Sequence, residues 1–300
     1  MAVADSFTYL LTSYHNSDRV VRLVERIQAE VPDARIVIMR DRDSAPLEST
    51  SCEVFITSRP IEWGDDSFLE ALLESMSLLK LADNEWLTVL SEDSYPLRSL
   101  RDYQEALSLS DADCWLEQSI LENPAADDLL GRYLHHAIAI PGSRRGPLRA
   151  ALRLILPKIG IPVDGGRSGT RLFIRAPRLH RPFGPSLKPR MGSDWFVLKG
   201  RAATRILAAR GTALERYYRK TFIPSEGFVH TVLLNDNTIN NRPVDNHYRR
   251  FEGAHARMFT LADFEELLDS EGWFARKILD VALLDRFDIV VGVSTTSFRQ

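Results

Sequence analysis

Cysteine is nearly absent from this chain of 300 residues, which holds two, Cys52 and Cys114. Their spacing fits neither a zinc ribbon nor a disulfide framework, so a reducing compartment is the natural reading. No apolar run approaches the roughly eighteen residues that a membrane-spanning helix needs. The start, from Met1 to Ser6, lacks the basic region and apolar core of a secretion signal. The expectation is a soluble, cytoplasmic protein with at most peripheral membrane contact. Neither a G-x-G-x-x-G fingerprint nor a G-x-x-x-x-G-K-[ST] loop occurs, so a dinucleotide fold and a P-loop are both unsupported. Charge of neither sign dominates: 38 Lys and Arg stand against 41 Asp and Glu, which argues against a dedicated nucleic-acid binder. Internal repeats and low-complexity tracts are missing too.

The first half alternates strand and helix signals. Phe7 to Ser13 is a β-branched and aromatic run suited to a buried strand, and Asn16 and Ser17 can cap the helix that follows. Arg35–Met39 and Cys52–Thr57 read as further strands, Ser67–Leu81 as an amphipathic helix and Trp86–Leu90 as a fourth strand. This order predicts a parallel, doubly wound sheet, which places ligands at the carboxyl ends of its strands. Ser13 and His15 follow the first strand. Arg59, Trp63 and Gly64 follow the third, and Glu92 and Asp93 follow the fourth.

From Ser143 to Arg190 the chemistry shifts. Twelve Lys or Arg stand there against one acid, Asp164, among many prolines and glycines. The stretch reads either as a solvated linker or as a cationic loop region over an anionic ligand. After it, Lys188–Lys199 reads as a polar turn running into an apolar strand, and Ile223–Leu234 as a helix with Glu226 at its mouth. Together they predict a pocket with an acid in it. One domain over 1–300 is expected, with a nucleotide-binding half near 1–140, a basic loop segment at 141–190 and a catalytic half at 191–300.

Five segments, in order, resemble the core-2/I-branching N-acetylglucosaminyltransferases and the related peptide xylosyltransferases. They are Thr57–Gly64 with Ser67 and its helix, Leu90–Leu97, Gly192–Leu198, Pro224–Leu233 and Phe274–Lys277. The chain departs from the family pattern at Ser94, where an Asp usually precedes the aromatic residue, and at Gly227. The resemblance implies a GT-A-type, Rossmann-like mixed α/β sheet flanked by helices, with a C-terminal α/β elaboration. It also implies an inverting transferase using a UDP-sugar, N-acetylglucosamine or else xylose, with a glycan, lipid-linked or small-molecule acceptor.

Under that resemblance Glu226 matches the base that takes the acceptor proton; its plainer reading is a first-turn helix acid. No cofactor is expected, basic side chains replacing a metal at the diphosphate. Lys277 matches one of these, Arg257 is the candidate for the second, and Arg276 stands in if the register shifts by one. Ser13, His15, Arg59 and Asp93 are expected on the nucleotide, with Trp63 and Gly64 shaping the base pocket. Ser193, Asp194 and Trp195 are expected on the sugar. His230 either orients Glu226 or is a packed core histidine. Asp41-Arg-Asp43 has the spelling of a metal motif but reads as a charged loop. The rival readings are a metal-dependent transferase built on Glu92 and Asp93, and a non-catalytic protein binding anions through 143–190.

Overall fold

A computed structural model describes residues 5–14, 17–47, 51–117, 127–143, 145–165, 170–178, 180–252 and 255–293. The elements follow in chain order: β1 (Phe7–Ser13), α1 (Ser17–Glu30), β2 (Arg35–Arg40), β3 (Glu53–Ile56), α2 (Ser67–Leu79), β4 (Trp86–Ser91), β5 (Ser94–Pro96), α3 (Leu100–Ser108) and β6 (Cys114–Trp115). Then come α4 (Asp127–Leu134), β7 (His135–Ile140), α5 (Gly146–Ile155), β8 (Val163–Gly165), β9 (Leu172–Pro177), β10 (Val197–Lys199), α6 (Gly200–Ala208), α7 (Ala213–Tyr218) and α8 (Pro224–Leu234). The chain closes with β11 (Asn241–Arg242), β12 (His247–Tyr248), β13 (Phe251–Glu252), β14 (His255–Ala256), α9 (Phe264–Asp269), β15 (Phe274–Arg276) and α10 (Val281–Val290).

The main sheet has seven strands in the order β11-β6-β10-β4-β1-β2-β3. They run parallel, β10 excepted. β1 and β4 are apolar runs because both of their faces are covered. Side chains alternate across a strand, so Tyr9 and Leu11 pack with α1, α3 and α10. Leu10 packs on the other face with α2, α6 and α8. The mixed α/β sheet flanked by helices agrees with the fold expected from the sequence.

Two smaller sheets matter for the site. β15 lies between β12 and β5, and its antiparallel register sets Arg276 opposite Ser94, just beyond the end of β4. β7, β9 and β8 form an antiparallel sheet. This sheet and α5 occupy much of the stretch expected as loop between 141 and 190. The sequence pattern missed them because Pro and Gly punctuate strands of at most six residues.

A buried ion cluster ties the C-terminal helix to the body. Asp288 of α10 accepts hydrogen bonds from Arg22 (2.7 Å) and Arg26 (2.6 Å) of α1 and from the Tyr95 hydroxyl (2.6 Å). Both arginines are almost fully buried. Buried charges persist when paired and hydrogen-bonded in this way.

Candidate active site

The chain winds outward from β1 through β2 to β3, then returns to β4 on the other side of β1. That reversal opens a crevice at the carboxyl ends of β1 and β4, where such sheets receive ligands. Glu92 closes its floor, accepting hydrogen bonds from the Ser13 hydroxyl (3.1 Å) and the Tyr14 amide (2.9 Å). Arg40 donates to the same Ser13 hydroxyl. Asp93, the next residue, faces Arg19 at 3.0 Å and the Lys277 ammonium at 3.9 Å. Glu92 is thus engaged in joining two strands and Asp93 in holding cations.

Arg276 links this crevice to a second recess. Its Nε donates to the Ser91 hydroxyl at 2.9 Å. Its guanidinium lies 4.8 Å from the centre of the Trp195 ring and hydrogen-bonds the Tyr14 hydroxyl. Arg276, treated from the sequence as a stand-in, is therefore the more central of the two adjacent cations. Trp195, expected to offer a face to a sugar, is buried instead, between that guanidinium and Phe68.

The second recess lies at the mouth of α8. Pro224 occupies the first turn, where its missing N–H and fixed φ suit a helix start. Before it, Ile223 has φ 49°, a left-handed conformation that is rare for a β-branched residue. The Ile223 amide donates to the Gly64 carbonyl at 3.0 Å, which helps to hold it there. Gly64 is itself at φ +99°, and a Cβ on it would lie 2.8 Å from both Phe173 and Phe222. Trp63 packs edge-on against Phe222 at 5.1 Å. Trp63 and Gly64 thus back the helix mouth rather than line the β1–β4 crevice.

Glu226, in the first turn of α8, faces Asp194, which enters on the turn before β10. The Gly192 amide donates to the Glu226 carbonyl at 3.0 Å and ties that turn to the helix. Ser225 hydrogen-bonds the Asp194 carboxylate. Burial raises both acids, and the Asp194 charge raises Glu226 further, from 4.5 to about 8. Arg132, Arg249 and Arg276 pull Glu226 the other way. Both residues keep part of their surface open to solvent, as residues lining a recess do, although Asp194 Oδ1 is itself buried.

His230 lies one turn along α8 and is fully buried. Burial pushes it down to about 3, so it stays neutral. A Cβ on Gly192 would lie 2.3 Å from its Nε2. That close approach explains why position 192 is glycine, and His230 takes its packing role. Ser193 accepts a hydrogen bond from the Trp195 amide at 3.2 Å and shapes the same turn.

Several expected residues lie elsewhere. Arg59 binds Asp66 and Glu70 of the α2 start, each at 2.6 Å, and so stabilises that end instead of meeting a nucleotide. Arg257 meets Lys277 through backbone, but its guanidinium is held by Asp263 at 2.5 Å. Asp41 accepts from the Ile61 amide at 2.5 Å, a loop-closing role. His15 and Asn16 lie outside the described residues.

The structure adds Tyr133 and Arg249. The Tyr133 hydroxyl is buried without a protein hydrogen-bond partner among the described residues and feels both Glu226 and Asp194. Arg249 is held by Glu117 at 2.6 Å and by Asp245. Neither carried a sequence signal: Tyr133 ends an ordinary amphipathic helix, and Arg249 is one arginine among many.

No protein-family model and no curated protein matches this chain. Among solved structures it is similar to the bifunctional glycosyltransferase WbbM, at TM-score 0.40 and 9% identity, over 92% of this chain and 46% of that one. The chain thus spans about half the length of WbbM. An active-site mutant of LgtC gives TM-score 0.38 and 10% identity over 97% of this chain and 98% of the other. Mouse xyloside xylosyltransferase 1 gives 0.34 and 9% over 90% and 97%. Similarity this low transfers no activity and no residue role to the present chain.

Proposed function

We propose that this protein is a glycosyltransferase that moves a sugar from a UDP-sugar to an acceptor hydroxyl with inversion at the anomeric carbon. One observation carries the reading. A raised carboxyl pair, Glu226 and Asp194, sits in a recess that Arg276 joins to the crevice at the β1–β4 switch point. The order of sequence segments resembling the core-2/I-branching enzymes supports it. That resemblance also supports N-acetylglucosamine as the donor sugar, xylose being the alternative.

In this reading the nucleotide lies across the ends of β1 and β4, over Ser13 and Asp93. The acceptor hydroxyl attacks the anomeric carbon as its proton passes to the Glu226 carboxylate. The bond from that carbon to the diphosphate breaks, and the leaving diphosphate takes the electron pair. Arg276 and Lys277 stabilise its new charge, the part a metal plays in other transferases. A base is most effective when its pKa lies near the working pH, and burial next to Asp194 moves Glu226 in that direction. The buried Tyr133 hydroxyl and the Arg249 charge lie within electrostatic reach of the pair.

The test is a panel of UDP-sugars scored by thermal shift and by UDP release, with and without EDTA, on the wild type and on Glu226→Gln. The expected result is donor binding by both proteins, and transfer by the wild type alone that survives EDTA. Turnover of Glu226→Gln at the wild-type rate would sink the base assignment. Loss of activity in EDTA would return the diphosphate to a metal.

A further inference from the structure

Helix α5 is turned inside out. The residue it buries is Arg149, whose guanidinium donates to the carbonyls of Ser143 (3.1 Å) and Thr170 (2.6 Å). Most of its large apolar side chains are exposed, Leu152 being half-buried: Leu148 is 48% exposed, Leu154 62% and Ile155 53%, and Ile159 on the turn that follows is 63% exposed. An amphipathic helix on a protein in water normally does the reverse. Four large apolar side chains exposed between 148 and 159 mark a place where something else docks.

The charge around it says what. Arg145, Arg153 and Lys158 stand exposed on and beside the helix, with His180 and Arg181 further along the segment. The one acid between 143 and 190, Asp164, is buried and held by Arg175 at 2.7 Å. A second copy of the chain would bring cations against cations. An anionic bilayer offers what the patch lacks, an apolar interior below a negative surface. Among the described residues no helix is long and apolar enough to cross a membrane, so the helix would lie in the interface plane.

We propose that α5 and the turn after it form a membrane-surface anchor, inserting Leu148, Leu154, Ile155 and Ile159 among anionic lipids while Arg145, Arg153 and Lys158 meet the headgroups. The anchor is joined to the acid recess. Phe173 of β9 packs 5.4 Å from Phe222, which precedes the α8 mouth, and the Ala137 amide of β7 donates to the Lys220 carbonyl at 2.8 Å. Docking therefore fixes the mouth of α8 near the bilayer surface. The anchor stands or falls independently of the sugar-transfer reading.

The experiment is co-sedimentation of the full chain with vesicles of phosphatidylcholine, with and without phosphatidylglycerol, at low and high salt. Binding should require the anionic lipid and weaken with salt. The double substitution Leu154→Glu with Ile155→Glu should lower partitioning about tenfold or more. Arg153→Ala and Lys158→Ala should each lower it about fivefold. Leu109→Glu, at an exposed leucine far along the chain at the end of α3, should change nothing. Because the α5 residues are exposed, all variants should fold, which far-ultraviolet circular dichroism checks. As a second readout, the fluorescence of Leu154→Trp should shift to the blue when anionic vesicles are added. Absent vesicle binding, or binding that survives the double substitution, would overturn the proposal. So would a concentration-dependent dimer abolished by the same double substitution, since that would make the face a protein interface.

Discussion

Replacing Glu226 with glutamine should make the protein more stable as well as inactive, and the gain should depend on pH in one direction. Glu226 rises from 4.5 to about 8 through burial and the charge of Asp194. A carboxyl whose folded pKa is raised costs nothing below its ordinary value, where it is protonated folded and unfolded alike. Between the two values the unfolded chain ionises and the folded one does not, so stability falls as pH rises. Above the folded value the penalty is complete. At about 1.4 kcal/mol per unit the upper bound is roughly 5 kcal/mol, and the solvent opening of the recess reduces it to about 1–3 kcal/mol. Glutamine keeps the shape and removes the charge. Urea unfolding of both proteins across the range from pH 4 to 9 should therefore show curves that coincide at the acid end and diverge toward the alkaline end, with the variant above. A variant that is less stable at alkaline pH would refute the burial argument. Coincident curves throughout would mean that the carboxyl is hydrated like a surface group.

Catalysis should show the same group from the other side. In the proposed mechanism transfer needs ionised Glu226, so kcat/KM should rise with pH through its raised value, with no acid limb near the ordinary 4.5. Arg276→Ala and Lys277→Ala should each weaken UDP binding about tenfold, the loss of one charge-assisted contact, while Arg257→Ala, already held by Asp263, should not; calorimetry separates them. Gly192→Ala should destabilise the chain by about 1–3 kcal/mol, because its methyl meets His230 and the Glu117 carbonyl; adding His230→Ala should recover part of the loss, and an unchanged melting temperature for the single variant would refute the close packing. Asp288→Ala should cost about 1–3 kcal/mol by removing the carboxylate that Arg22 and Arg26 share, Asp285 and Glu30 remaining as their other acidic partners; an unchanged stability would show that water enters the cluster.

The strands were legible where burial is two-sided. Phe7–Thr12 is apolar, aromatic or β-branched throughout because helices cover both faces, and the expected bounds Phe7–Ser13 coincide with β1. The α8 mouth was legible because Pro224 can occupy only a few helix positions. Partnership across elements was legible only in part. The sequence reading brought the Asp194 turn to the Glu226 helix mouth, but nothing in the string says that Arg276 rather than Arg257 faces them. The pairing of Arg276 with Ser94 decides this, and it depends on a strand laid beside β5 by distant packing. α5 was likewise not legible, since the basic, Pro- and Gly-rich stretch around it reads as loop.

Two opposite choices of burial then explain one another. At the α8 mouth the chain buries carboxyls, which raises their proton affinity and gives up stability that a base near neutral pH requires. At α5 it buries an arginine and exposes leucines, giving up stability for a surface that another phase can cover. Each inversion would be selected against in a protein whose sole requirement was to fold. The β7–β9 sheet and Phe222 connect the two. The proposed contact at α5 and the proposed chemistry at Glu226 can still be tested apart, and a variant that loses vesicle binding while keeping transfer would separate them.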